Sequence, residues 1–248
     1  AGIRTYVLSN NNPASMEVIR GEFTADGHTM DDYFDKVYLS YELRELKPSE
    51  AIFRKVIADS GIVPAQTLFI DDGQKNVDAA QALGIRRMVF HGGFIPHVYF
   101  PEWYVEQSVW FWREFLRDVP ADMTLALENV MEPSPETLVS IAAQIDDPRL
   151  GLCLDVGHAN TCVSETPPMD WIAPMAPWLR HVHLHSNQGD TDLHAPLGEG
   201  NIPMRQIIPI FIDTVLQAAP EATFTIENQN ALPSLHWLAA QGYIEEPT

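Results

Sequence analysis

The sequence predicts an α/β protein on a parallel sheet, its eight strands closing into a (β/α)8 barrel. Three observations lead there. Short apolar runs rich in β-branched and aromatic residues alternate with longer helix-like stretches from end to end. Eight such runs occur in 248 residues, the length and count that such a barrel takes. Repeated strand–helix units imply parallel strands with helices outside them. An open doubly wound sheet is the alternative that the same alternation allows.

Strands are predicted at 5–9, 36–40, 67–71, 87–91, 123–129, 151–156, 181–185 and 223–228. Helical stretches at 13–23, 49–60, 76–83, 102–116, 134–145, 169–175, 204–218 and 234–240 fill the gaps. The helix at 49–60 opens after Leu46-Lys47-Pro48, and the one at 76–83 ends at Gly84, a C-capping glycine that feeds the strand Met88-Val89-Phe90. Ala1-Gly2-Ile3-Arg4 repeats the Leu83-Gly84-Ile85-Arg86 turn, so residue 1 reads as the tail of a preceding helix. In 102–116, Trp103, Tyr104, Trp110, Phe111, Trp112 and Phe115 recur at helical spacing and predict packing of helix on barrel. His181-Val182-His183-Leu184-His185 alternates imidazole with aliphatic, so its three histidines share one strand face.

Composition divides the chain. All four lysines (Lys36, Lys47, Lys55, Lys75) precede residue 76, and all six tryptophans follow residue 100. Residues 1–85 hold 13 acidic and 8 basic side chains and the remainder 21 and 7, giving −5 and −14 of the −19 total. Such a charge argues against a nucleic-acid backbone as partner and suits divalent cations. Two cysteines, Cys153 and Cys162, form neither a disulfide framework nor a CxxC pair. No apolar run approaches 18 residues and no signal peptide is evident, so a cytoplasmic protein with no membrane partner is expected. The join falls near 84–88, giving a front part at 1–86 and a back part at 87–248 that together form one fused domain.

The front part carries Val7-Leu8-Ser9-Asn10 at a strand end, Leu46-Lys47-Pro48 at a helix start and Thr67-Leu68-Phe69-Ile70-Asp71-Asp72 at another strand end. With Asn76-Val77-Asp78-Ala79-Ala80 and Gly84-Ile85, these resemble the haloacid-dehalogenase-like hydrolases from their second motif onward. The resemblance implies that Ser9 and Lys47 would hold a phosphoryl group and that Asp71 and Asp72 would hold Mg²⁺. The family's DxD nucleophile is not in this stretch, so phosphatase activity is not expected.

In the back part, carboxylates and imidazoles recur at the ends of successive strands, where barrel enzymes place their chemistry. Glu128 ends one strand, Asp155 the next with His158 three residues on, His183 lies in the third and Glu227 ends the fourth. Residues 87–244 resemble strands four to eight of the xylose-isomerase-like barrels, a group of sugar-phosphate isomerases, epimerases and apurinic endonucleases. The resemblance implies that Glu128, Asp155, His183 and Glu227 hold one divalent ion, for which Mn²⁺, Zn²⁺, Mg²⁺ and Co²⁺ are all suitable. It further implies that Glu128 and Glu227 form an acid/base pair and that His158 contacts substrate. Asp192-Leu193-His194 and the Gly198-Glu199-Gly200 loop match the segment that, in the endonuclease branch, supplies Asp and His ligands to another metal together with the residue matching His158. His91 matches a further ligand, and Asp71 would stand beside it if the barrel closes. His97, His185 and His236 read as packing or surface residues.

The sequence thus reads as an artificial chimera testing whether fragments of two α/β folds recombine, with residual cation binding and vestigial catalytic residues. No native turnover is expected, because a placement error of about 1 Å costs on the order of a hundredfold. The alternative is a divalent-metal-dependent sugar or sugar-phosphate isomerase or epimerase, with that small molecule as its partner. Unpaired strand edges would favour a homodimer or a domain swap.

Overall fold

The computed structural model describes residues 4–25, 29–32, 34–71, 74–161, 163–228 and 230–246. Readings that fall on residues 1–3, on Asp72 and on Cys162 lie outside the described residues. The chain divides into two compact units, 1–88 and 89–248.

In the first unit β1 (Tyr6–Ser9) and β2 (Lys36–Leu39) pair in parallel, Tyr6 opposite Lys36 and Ser9 opposite Leu39, joined through α1 (Pro13–Ala25). Helix α2 (Glu50–Ser60) starts where the Ser49 side chain accepts the Ile52 N–H and stops at Gly61, which takes the left-handed conformation at φ 66°. Strand β3 (Leu68–Ile70) and α3 (Gln74–Ala82) follow. Met16, Tyr38, Leu39, Ile52, Phe53 and Val56 are buried here.

The second unit carries β4 (Arg87–His91, which begins at the boundary), β5 (Thr124–Glu128), β6 (Leu150–Asp155), β7 (Leu179–Leu184) and β8 (Thr223–Ile226), neighbours in chain order. Strands β5 to β8 pair in parallel. Alternation along each strand separates two faces. Leu125 and Leu127, Leu152 and Leu154, and Val182 and Leu184 lie on one face; Glu128, Cys153, Asp155, His181 and His183 lie on the other. The helices are α4 (Pro101–Phe115), α5 (Glu136–Ile145), α6 (Pro168–Met175), α7 (Met204–Ile210) and α8 (Leu232–Ala240). Trp171, Leu138, Ile141 and Phe211 on or next to these helices are fully buried.

Four expectations change. The eight strands fall into two parallel sheets, β1–β2 and a larger one running in chain order to β8, so a closed ring of eight is not formed by the described residues. A barrel strand is covered on both faces, as all six residues of β6 are, whereas every residue of β1 stays half-exposed. The chain-order succession β4 to β8 equally lacks the reversal that marks a doubly wound sheet. The stretch 204–218 is interrupted by a π-turn at Phe211–Val215 just after Pro209, whose missing N–H breaks the regular ladder. In α4, Tyr104 and Trp112 are buried, Trp112 edge-on to Phe90 at 5.4 Å, while Trp103, Trp110 and Phe111 face solvent. A single helix cannot turn six aromatics spread round its circumference to one side.

Candidate metal centre

Three strands and the loop after β8 build the site. Glu128 is the last residue of β5, Asp155 the last of β6, and His183 lies on β7 directly opposite Asp155. Glu227 follows β8, held by its N–H to the Leu184 carbonyl at 3.0 Å. The hub is His183 Nδ1: it lies 2.9 Å from Glu227 Oε2, 3.3 Å from Glu128 Oε1 and 3.4 Å from Asp155 Oδ2. One ligand atom from each of the four lies within 4.8 Å of the others. Glu128, Asp155 and His183 are buried; Glu227 is half-buried and forms the open side.

The arrangement has one nitrogen for three carboxylates, and Glu128 Oε2 is buried without a hydrogen-bond partner. A buried carboxylate oxygen without a partner is costly, and three carboxylates crowded round one imidazole repel one another. A divalent cation would serve them. The mixed N/O donor set fits Mn²⁺, Zn²⁺, Mg²⁺ or Co²⁺.

The surroundings fix the carboxylates. Asn129 bridges β5 and β6 beyond their ends, donating to the Asp155 carbonyl at 2.9 Å and accepting the Asp155 N–H at 2.8 Å. His158 donates its backbone N–H to Asp155 Oδ1 at 2.7 Å, and its Nδ1 lies 2.8 Å from the Asn129 carbonyl and 3.3 Å from Glu128 Oε1. On its other side His158 Nε2 meets Asp192 Oδ2 at 3.1 Å, and the same oxygen lies 3.0 Å from His194 Nε2. His158, Asp192 and His194 therefore form a second group that could hold an ion, here called the rim set. His91 is exposed, its Nε2 3.6 Å from Glu128 Oε2.

Asp71 belongs to the first unit. Its oxygens meet Lys47 Nζ at 2.5 Å and Asn76 Nδ2 at 2.7 Å, and the Asn10 side chain brackets the Lys47 backbone at 2.7 and 2.8 Å. Lys47, Asp71 and Asn76 thus engage one another.

Two buried groups escaped the sequence reading. His185, set aside as packing, is fully buried with Nε2 at 2.9 and 3.0 Å from the Asp155 oxygens. Its signal was present: it is the third imidazole of an alternating run. Glu132 is buried, accepting the N–H groups of Val130 and Met131, and nothing in its sequence position marked it.

Burial opposes charge on every group here, and the partners decide the outcome. Burial is outweighed at Glu128 by His158 and His183, and at Asp155 by His183 and His185; both carboxyls fall below their ordinary range, Asp155 well below. Against its burial, Cys153 and the carboxylates of Asp155 and Glu128 lift His183 well above an ordinary imidazole. Asp192 and Glu128 likewise lift His158 to about 11, and Asp192 lifts His194 to about 9. Burial pushes the Cys153 thiol, on the same face, up to about 12. Without a cation these neighbours favour the protonated form of His183, whereas a ligand imidazole must be neutral. Cation uptake is expected to release about one proton per ion at the four-residue set, so affinity rises up to about tenfold per pH unit across the neutral range. Calorimetry in buffers of different ionisation enthalpy measures that proton.

The comparisons bear on the family and the fold. The profile described as xylose isomerase-like TIM barrel matches residues 60–235. The chain belongs to that family. Residues 1–84 match the haloacid dehalogenase-like hydrolases. Over 80 residues the chain is 45% identical to a D-ribitol-5-phosphate phosphatase of Bacteroides thetaiotaomicron, covering 32% of this chain and 39% of that one. An uncharacterized protein of Methanocaldococcus jannaschii is 27% identical over 164 residues, 62% of this chain and 54% of the other. The chain thus spans about half or less of these relatives. Among solved structures, a D-tagatose 3-epimerase-like protein aligns with TM-score 0.56 and 19% identity over 94% of this chain and 84% of its own. A protein from Thermus thermophilus, soaked with zinc chloride, aligns with TM-score 0.57 and 23% identity over 98% and 99%. At these identities the likeness concerns the fold. In this xylose isomerase-like chain, no helix is long and apolar enough to cross a membrane among the described residues.

Proposed function

We propose a two-part protein whose second unit holds one divalent cation through Glu128, Asp155, His183 and Glu227 and acts on a small sugar or sugar phosphate. The observation that carries this is His183 Nδ1 within 2.9–3.4 Å of carboxylates from three separate strand ends. When bound, a divalent cation there supplies Lewis-acid polarisation of a substrate carbonyl. Glu227, on the open side, removes a proton from the carbon next to that carbonyl, and Glu128 completes the acid/base pair, the pattern of an isomerase or epimerase. His158 is held by Asn129, Glu128 and Asp192 where it meets an entering substrate.

A second reading is a recombined, artificial chain that keeps the cation site without native turnover. It is supported by the foreign front end, in which Lys47, Asp71 and Asn76 are engaged with one another rather than shaped around a sugar. The test is deuterium exchange at the carbon next to the carbonyl in a panel of ketohexoses and their phosphates, with Mn²⁺ or Co²⁺ present. Glu227→Gln is expected to lower exchange by about 10²- to 10⁴-fold. Cation uptake with no exchange in any sugar favours the second reading.

A further inference from the structure

His185 touches one member of the four-residue set and two of the rim set. Its Nε2 lies 2.9 and 3.0 Å from the two oxygens of Asp155 and 3.8 Å from Asp192 Oδ1. Its ring lies flat on that of His194, with centroids 3.9 Å apart and planes 7° from parallel. The ring is fully buried and has no room to retreat: a Cβ at Gly157 would stand 1.8 Å from His185 Cε1, so that position must be glycine.

We propose that His185 is a positioning residue that fixes the Asp155 carboxylate in the four-ligand set and transmits to it the occupancy of the His158–Asp192–His194 set. The inference rests on the cation-binding reading above. Asn129 already holds the Asp155 backbone on both sides, so rotation of the carboxylate is the freedom left. A donor placed evenly between its two oxygens restrains that rotation, as outer partners of metal ligands do. A cation that engages His194 tilts its ring, and the stacked His185, backed by Gly157, follows. Asp155 then shifts with it. Coupling of this kind is reciprocal: each set changes the affinity of the other by the same factor. His158 offers a competing route, since it belongs to the rim set and also contacts Asp155 and Glu128.

A double-mutant cycle separates the routes. Co²⁺ is titrated by calorimetry and visible absorption into the full chain as wild type, His185→Phe, His194→Ala and the double variant. His185→Phe is expected to weaken the four-residue site by about 10- to 100-fold and to alter its Co²⁺ spectrum. His185→Gln, which keeps a donor, is expected to recover part of that loss. His194→Ala is expected to change the affinity of the four-residue site in the wild-type background and not beside His185→Phe. Should His185→Phe not fold, His185→Asn, too short to reach Asp155 or to stack, takes its place in the cycle. Wild-type affinity in His185→Phe, or an equal effect of His194→Ala in both backgrounds, overturns the proposal and assigns the coupling to His158. No Co²⁺ uptake by the wild type defeats the cation-binding reading itself, and with it the proposal.

Discussion

Asp155→Asn is expected to lower divalent-cation affinity by more than about 100-fold. Loss of an outer-shell partner alone costs about 10- to 100-fold, and here the ligand itself changes. The change is confined to the carboxylate, because Asn129 grips the main chain of residue 155 at both its N–H and its carbonyl. Its effect is large for a second reason. An amide presents one oxygen where the carboxylate presents two, yet His185 and the His158 N–H both meet Oδ1 and His183 faces Oδ2. One of these donors would face an N–H₂ instead. Calorimetric titration with Mn²⁺ or Co²⁺ measures the loss, and circular dichroism shows whether the fold survives.

Trp171→Ala is expected to cost about 3–5 kcal/mol of stability, the range for truncating a buried indole. Trp171 is fully buried on α6, and its indole N–H donates to the Thr166 carbonyl at 3.1 Å. Truncation removes the packing and leaves that carbonyl without the indole. Helix α6 leads into β7, which carries His183, so the loss reaches the site through the strand. Denaturant unfolding of the full chain measures it. A change below about 1 kcal/mol would mean that the surroundings collapse into the space.

Much of the site was legible in the sequence because strand geometry is a strict rule. Side chains two apart share a face, so a carboxylate at the end of a parallel strand lands near its counterpart on the next. Glu128, Asp155, His183 and Glu227 follow that rule, and the structure brings them together. His185 follows the same alternation, one residue past the end of β7 as Glu227 is past the end of β8; what alternation does not report is the space for its ring, which depends on Gly157, 28 residues earlier in the chain. Glu132 lies in a loop, whose backbone N–H groups capture its carboxylate, and no periodicity reports that.

The fold was legible in parts. All eight strands lie where the apolar runs predict them, with ends displaced by at most two residues. Pairing was less legible, because a strand's apolar run does not say which neighbour it takes. β1 and β2 have the composition of barrel strands, yet they form a sheet of their own. The π-turn after Pro209 shows the limit in a helix: apolar spacing predicts the helix, and one missing N–H decides its detail.

The central claim is that four strand ends of the second unit assemble one cation site. Metal content tests it most directly, measured by mass spectrometry on protein purified without added metal and again after incubation with Mn²⁺ or Zn²⁺. Glu128→Gln, treated identically, is the control. The account predicts about one or more equivalents of cation per wild-type chain and a clear loss in the variant, since each site of this kind holds one ion. Metal absent from both proteins even after incubation, or bound equally by both, would contradict it.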